Sequence, residues 1–403
     1  MAHSSGTPTA LSGRLVTDAG IIEDGVLRWD GTRILEVGTV EGDAAAERLP
    51  EGYFILPGLI DLHCHGAGGG DFTSGSAADI EAAALHLHRS GSTTLLASTC
   101  SAPMEDLEAA FGRLAMAAEA GLVAGIHAEG PFLSKERSGA HDPAFLLLPT
   151  QEDVARLVAA GQGHLVSMTY APELPGSDVL VYELVTHGVI PSIGHTDSST
   201  EEATAALDLI NEELASTGFE GFSGRPTATH LFNAMPVIHH RSPGPVPLLL
   251  QRARAGEIAV ELIADDVHLH PETVRMAFTI AGAENICLVS DSTAAAGRPS
   301  GTYRLGHQEV TLVDDAAVLI ATGALAGGAG SLLDVVRRTV QAGVGVVDAV
   351  RAATAVPAGV LGLADEVGSL RGGLRADALV LSPDLELKGV LRAGTWIRPL
   401  EVG

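Results

Sequence analysis

The sequence has only three cysteines, Cys64, Cys100 and Cys287, in 403 residues. They are too few and too scattered for a disulfide framework or a thiolate zinc site. Lysine is almost absent: Lys135 and Lys388 are the only two, and arginine supplies the rest of the 24 basic residues. Against these stand 50 acidic residues, giving a formal net charge of −26. Such an excess repels nucleic acid and anionic membranes, so neither is expected as a partner. A small anionic ligand stays compatible if positive charge is gathered locally. No run of about 18 consecutive apolar residues occurs, and the most apolar stretch, VLIATGALAGGAGSLL, is broken by glycines. The N-terminal MAHSSGTPTALSGR lacks the basic-then-apolar order of a signal peptide, so a cytoplasmic protein is expected.

What is present is a patterned α/β chain, long enough for one large domain or two smaller ones. The first 55 residues read as short strands and turns (SGRLVTDAG, IIEDGVLRWDG, TRILEVG), and the segment 366–403 reads the same way. Between them, eight strand candidates alternate with Ala- and Leu-rich helical stretches. They are YFILPGLIDLHCHG, STTLLAST, LVAGIHAEG, LVSMTYAPE, VIPSIGHT, TATHLF, IAVELIAD and ICLVSDST. Helices are expected over 78–91, 103–121 and 150–161. Eight such units are what a (β/α)8 TIM barrel requires; a doubly wound open sheet is the alternative. The simplest architecture sets a barrel over 57–362 beside a small β-sandwich domain built from 1–56 and 363–403.

His-x-His occurs three times, at 63–65, 86–88 and 268–270. His63 and His65 end the strand LIDLHCH, and residues two apart in a strand share a face. Cys64 then points away, as a packing residue, and the following GAGGG lets the backbone turn sharply. His86 and His88 lie in a helix, where a spacing of two sets side chains about 200° apart. That pair cannot share a metal and is read as surface or helix packing. His268 and His270 follow the seventh strand in a loop, and geometry leaves them open.

Other strand ends carry similar groups. The third presents Glu129, the fifth His195, the sixth His230 and the eighth Asp291. In a barrel these ends form one face, where sites are built. Four imidazoles and two carboxylates without thiolate suit a divalent ion, Zn2+ or Fe2+. An ion so held activates water and polarises a carbonyl, which are the requirements of hydrolysis. A carboxylate at the eighth strand end suits transfer of the water proton to a leaving nitrogen. A carboxylated lysine bridging two ions is not expected, because Lys135 lies in a loop beyond Glu129 and Lys388 in the terminal β segment. Either Glu129 bridges or the site holds one metal.

With LPGLIDLHCHG, HAEGPFLS, GAHDP, IGHTDS, ATHLFNAM, ELIADDVHLHPE, CLVSDSTAAAG and GSLRGGLRADALVLSPD in hand, the chain resembles the N-acetylglucosamine-6-phosphate deacetylases of the amidohydrolase superfamily nearly end to end. HLFNAM and EGPF are the most specific of these blocks. The resemblance implies removal of acetate from N-acetylglucosamine 6-phosphate to give glucosamine 6-phosphate, in amino-sugar catabolism and cell-wall recycling. It implies that Glu129, His195 and His230 hold the principal metal, that His63 and His65 serve a second, and that Asp291 is the general base and acid. His141 of GAHDP matches a residue that polarises the acetamide carbonyl. Asn233, Ala234, Arg241 and His268 match positions that contact sugar or phosphate, and Leu325 lies in TGALAGGAGS, which matches a substrate-facing loop. Asp266 departs from the pattern, standing where a glycine is expected. Family members are commonly homodimers in which the partner subunit completes the phosphate site. Other amidases of the superfamily, such as dihydroorotases and aminoacylases, lack HLFNAM. The epimeric N-acetylgalactosamine 6-phosphate is not distinguished as substrate, and a non-catalytic scaffold is disfavoured because all six ligand candidates are present.

Overall fold

A computed structural model describes residues 9–39, 46–217, 225–313 and 316–402. Eight parallel strands form one sheet strictly in chain order. They are β1 (Leu59–Cys64), β2 (Ser92–Thr99), β3 (Gly125–Glu129), β4 (Leu165–Tyr170), β5 (Ile190–Ile193), β6 (Thr227–Ala228), β7 (Ala259–Leu262) and β8 (Ile286–Leu288). The two edges meet: Cys64 and Ser292 form a parallel bridge, and the His65 amide donates to the Ser292 carbonyl at 2.7 Å. This is the expected barrel, since a doubly wound sheet would reverse its strand order at a switch point.

The strands are buried on both faces, as a parallel sheet covered by helices demands; all eight residues of β2 are buried. Outside lie α1 (Ala77–Arg89), α2 (Met104–Glu119), α3 (Gln151–Ala160), α4 (Ser177–Thr186), α5 (Thr200–Thr217), α6 (Val246–Arg254), α7 (Pro271–Ala281) and α8 (Leu332–Gln341). Helix α1 starts at a capping box of Ser76 and Asp79 and buries Ile80, Ala83, Ala84 and Leu87, one face at helical spacing. Within it, the ring nitrogens of His88 lie 2.6 Å from Ser92 O and 2.8 Å from Leu122 O. The 86–88 pair therefore packs the helix, as read from its periodicity.

Inside the barrel, Ile60, Leu62, Leu96, Ile190, Ala259 and Cys287 pack with Val356 and Val360 of the helix Ala355–Val360. A polar layer also crosses the interior. Ser98 Oγ lies 2.9 Å from His127 Nδ1, His127 Nε2 lies 2.8 Å from Thr169 Oγ1, and Thr169 reaches Thr229 at 2.6 Å. Thr229 in turn lies 2.6 Å from Ser192. These hydroxyls satisfy one another, which makes a buried polar layer tolerable and rigid.

Both chain ends build a second eight-stranded sheet. Its path runs through Thr395–Arg398, Leu387–Arg392, Ala378–Leu381, Phe54–Pro57, Thr9–Thr17, Gly20–Asp30 and Arg33–Thr39, with Glu47–Arg48 also paired to Thr9–Thr17. Trp29 and Trp396 stand far apart on this path, yet their rings meet edge to face with centroids 6.4 Å apart. The sheet thus curls back over a core that includes Leu11, Leu15, Leu27, Ile55 and Leu391, the sandwich-like arrangement expected. Residues 1–8, 40–45 and 403 of the expected terminal domain lie outside the described residues. A three-stranded antiparallel sheet (Thr302–Leu305, Gln308–Val313, Ala316–Leu319) sits between β8 and α8 and was not anticipated. Its strands are too short and too closely spaced by turns to stand out from the Gly-rich run that follows. No helix among the described residues is long and apolar enough to cross a membrane.

Trp29 is 4% exposed. Trp29→Ala is expected to destabilise the protein by about 3–5 kcal/mol in urea denaturation; a loss below about 1 kcal/mol would show that the curled sheet does not depend on this contact.

Candidate active site

The loops at the C-terminal ends of the strands bring the expected residues together. His195, His230 and Asp291 follow β5, β6 and β8, and each has a left-handed backbone, with φ of 47°, 26° and 46°. Such a conformation in a non-glycine residue costs about 1–3 kcal/mol and persists only where its surroundings impose it. For Asp291 those surroundings are bonds at both backbone groups: its amide donates to His63 O at 2.8 Å, and its carbonyl accepts from the Gly328 amide at 2.7 Å.

Glu129, at the end of β3, is the hub. Its Oε1 lies 2.9 Å from His230 Nε2 and 3.0 Å from His195 Nε2; its Oε2 lies 3.0 Å from His141 Nε2 and 3.2 Å from His65 Nε2. His63 Nε2 is 3.6 Å from Oε1. All are buried. Burial raises the Glu129 carboxyl, but the imidazoles of His63, His141 and His195 outweigh it and hold the group well below the usual carboxylate range.

The outer ring nitrogens decide what the inner ones can do. His195 Nδ1 lies 2.8 Å from the Arg137 carbonyl, which only accepts, so Nδ1 carries the hydrogen. In the neutral ring Nε2 is then a bare lone pair, facing the Glu129 carboxylate and, at 3.1 Å, His230 Nε2. His63 repeats the pattern, with Nδ1 3.3 Å from Glu261 Oε2 and Nε2 3.0 Å from His65 Nε2. A lone pair set against a carboxylate repels it unless a cation lies between them. The field around His63 shows the same demand: burial lowers its imidazole, yet Glu129 and Asp291 raise it to about 10. The donor set of nitrogen and carboxylate oxygen therefore fits a divalent ion. Groups close enough to take one are His63, His65 and Asp291, Glu129 with His141 and His195, and Glu129 with His65 and the Cys100 thiol.

His141 is different. The Ser101 amide donates to its Nδ1 at 3.0 Å, so the hydrogen sits on Nε2 and is given to Glu129. Burial, only partly offset by Glu129, depresses this imidazole to about 4, so it is neutral at pH 7. In this structure it is a hydrogen-bond donor to Glu129.

A cavity of about 140 Å³ opens above this ring, lined by Glu129, His141, His195, His230 and Asp291 together with Asn233, Ala234, His268 and Leu325. Arg241 is not among the lining residues; it is exposed, and its Nη1 donates to His240 at 2.9 Å. The third His-x-His is split: His268 enters the cavity, held 2.8 Å from Asp265, whereas His270 caps α7 by accepting from the Glu272 amide. Asp266 has φ of 69°, which explains a glycine-like position, and its carboxylate lies 3.2 Å from Arg338 rather than lining the cavity.

The amidohydrolase family model matches residues 54–397. The chain belongs to the amidohydrolase family. It is 32% identical over 353 residues, 85% of each chain, to an N-acetylglucosamine-6-phosphate deacetylase of Lysinibacillus sphaericus. It is 30% identical over 391 residues, 96% of each chain, to an N-acetylgalactosamine-6-phosphate deacetylase of Escherichia coli O157:H7. Among solved structures it is similar to a variant of the Mycobacterium smegmatis N-acetyl-D-glucosamine-6-phosphate deacetylase in complex with N-acetyl-D-glucosamine-6-phosphate. The identity is 34%, the TM-score 0.89, and the match covers 97% of this chain and 100% of that one.

This amidohydrolase also holds site residues that the motifs did not single out. Cys100 lines the cavity with its thiol 3.3 Å from His65 Nδ1. Cys64 does turn away, its thiol donating to Leu96 O at 3.2 Å. Cys100 and Ser101 directly follow β2, a strand end that went unread. Glu261 was visible as a lone charge inside IAVELIA. Asp61 accepts from the Ser290 hydroxyl at 2.6 Å and amide at 3.1 Å, tying β1 to the segment after β8.

If Ser101 fixes the tautomer, ¹⁵N spectra of the His141 ring at pH 7 will show a protonated Nε2 and a bare Nδ1. A protonated Nδ1 would contradict the donor assignment.

Proposed function

We propose that the protein hydrolyses N-acetyl-D-glucosamine 6-phosphate to D-glucosamine 6-phosphate and acetate with the help of one or two divalent ions, Zn2+ or Fe2+. The observation that carries this reading is the bare Nε2 of His195 and of His63 turned toward Glu129 beside one imidazole, His141, that presents an N–H. The activities of the similar deacetylases support it. Glu129, His195 and His230 are assigned to the principal metal and His63 and His65 to a second. Two ions are favoured by charge. Asp61, Glu129, Glu261 and Asp291 are four buried carboxylates whose partners are imidazoles, the Ser290 hydroxyl and backbone amides.

A divalent ion supplies activation of water and polarisation of the acetyl carbonyl. His141 donates its Nε2 hydrogen to the carbonyl oxygen and stabilises the negative charge that develops there. Asp291 takes the proton from the attacking water. As the new C–O bond forms and the C–N bond breaks, it passes that proton to the nitrogen, releasing the amine and acetate. The role requires an ionised carboxylate. Burial raises the Asp291 carboxyl, but His63 and His65 more than offset this and hold it below its usual range.

Asn233, Ala234, His268 and Leu325 are assigned to substrate contact. Arg241 stands on an exposed loop with Val237 and Ile238, which are 83% and 51% exposed. This supports a homodimer in which Arg241 reaches the phosphate bound by a second copy, giving the positive charge that the residues lining the cavity do not supply. A cytoplasmic location fits a phosphorylated substrate, and the chain is divided into a barrel over 57–362 and a domain of both ends. N-acetyl-D-galactosamine 6-phosphate is the second reading, favoured by the Escherichia coli O157:H7 relative.

Acetate release measured on both epimeric phosphates tests the proposal. Turnover is expected on at least one, lost with a chelator and restored by Zn2+ or Fe2+; no release from either defeats it. Asp291→Asn is expected to keep fold and metal while lowering kcat by about 10²–10⁴-fold, and near-normal kcat would remove Asp291 from its role.

A further inference from the structure

Glu261 lies in β7 at 3% exposure, its backbone neighbours Val260 and Leu262 wholly buried. The small space beside it is lined by Leu62, Leu96, Ile190 and Thr227. A carboxylate in such surroundings is strongly unfavourable unless it is compensated. The groups it meets are His63 Nδ1, 3.3 Å from Oε2, and the His230 amide, which donates to the same oxygen at 3.3 Å. We infer that Glu261 is the positioning residue of the second metal subsite, setting the tautomer of His63 and strengthening it as a ligand. The inference rests on the metal-dependent reading above.

The outer nitrogens of the site imidazoles set this contact apart. His195 is held by a neutral carbonyl and His65 lies against a thiol, whereas His63 alone among them meets a carboxylate. An acceptor bearing full charge withdraws the Nδ1 hydrogen most strongly and makes Nε2 the better electron donor, which is how outer partners tune metal affinity. The same oxygen touches His230 only through its backbone, so that ring is not tuned by it. Removing the charge at Glu261 should therefore weaken the subsite of His63 and His65 and spare that of Glu129, His195 and His230. A carboxylate serving only the packing of the barrel would weaken both alike, through the fold.

The test is titration of the metal-free full-length protein with Co2+ against a competing chromophoric chelator, following the cobalt absorption bands. The wild type is expected to take two equivalents. Glu261→Gln, which keeps size and an amide oxygen, is expected to take the first with unchanged affinity and the second about 10–100-fold more weakly, with its absorption band reduced to match. His63→Ala should lose that same band. The first equivalent reports on folded sites in each sample, so a variant that folds poorly is recognised, and Glu261→Asp, which keeps the charge, should recover part of the lost affinity. Unchanged affinity for the second equivalent in Glu261→Gln, or equal weakening of both, overturns the inference. A wild type that binds one equivalent overturns the two-metal assignment and this inference with it, and one that binds none overturns the metal-dependent reading itself.

Discussion

The structure turns on one contact set: the Glu129 carboxylate ringed by imidazoles, two of which, His195 and His63, turn an Nε2 without hydrogen toward it while His141 donates one. Hydrogen bonds on the far sides of His195 and His63 use up their N–H groups. At those two rings what faces inward is a lone pair against the carboxylate. A protein interior does not hold such an arrangement for packing, because a hydrophobic residue of similar size would cost less. It is an arrangement for a cation. The strained backbones of His195, His230 and Asp291 and the four buried acids around them are local costs of the same requirement.

The rest of the barrel serves that requirement. Closing the sheet between β1 and the segment after β8 sets His63 and His65 3.4 and 3.3 Å from Asp291, so the carboxylate proposed to transfer the proton stands beside this imidazole pair. The Gly-rich loop before α8 then docks onto the Asp291 backbone. At Gly328 an added Cβ would sit 2.2 Å from Ser290 O, and at Gly327, with φ of 118°, 2.8 Å from Asp291 O. Only glycine lets that loop approach closely enough to bring Leu325 and Ala326 to the cavity wall. The three-stranded insertion holds the loop from the other side, pairing Val318 with Leu325 and packing Leu305, Val310 and Leu319 with Cys100 and Ala326.

Much of this was legible in the sequence, for a physical reason. Barrel strands are buried on both faces and read as continuous apolar runs, so eight of them could be counted, and the polar residues closing those runs had one face to occupy. Periodicity alone separated the strand pair His63 and His65 from the helical pair His86 and His88. What could not be read depends on contacts between distant segments. The tautomer of His141 is set by the Ser101 amide, 40 residues away, and the partner of His63 by Glu261, 198 residues away. Cys100 follows β2 without any motif to mark it. Arg241 was grouped with the substrate contacts by resemblance, and within one chain it lies outside the cavity.

The central claim is that the ring about Glu129 is a metal centre. Anomalous diffraction from crystals of the protein loaded with Zn2+, recorded above and below the zinc edge, tests it most directly. The expected result is a peak within bonding distance of Glu129, His195 and His230, with a second beside His63 and His65. An absence of anomalous density in this ring, with the ion bound elsewhere on the surface, would contradict it.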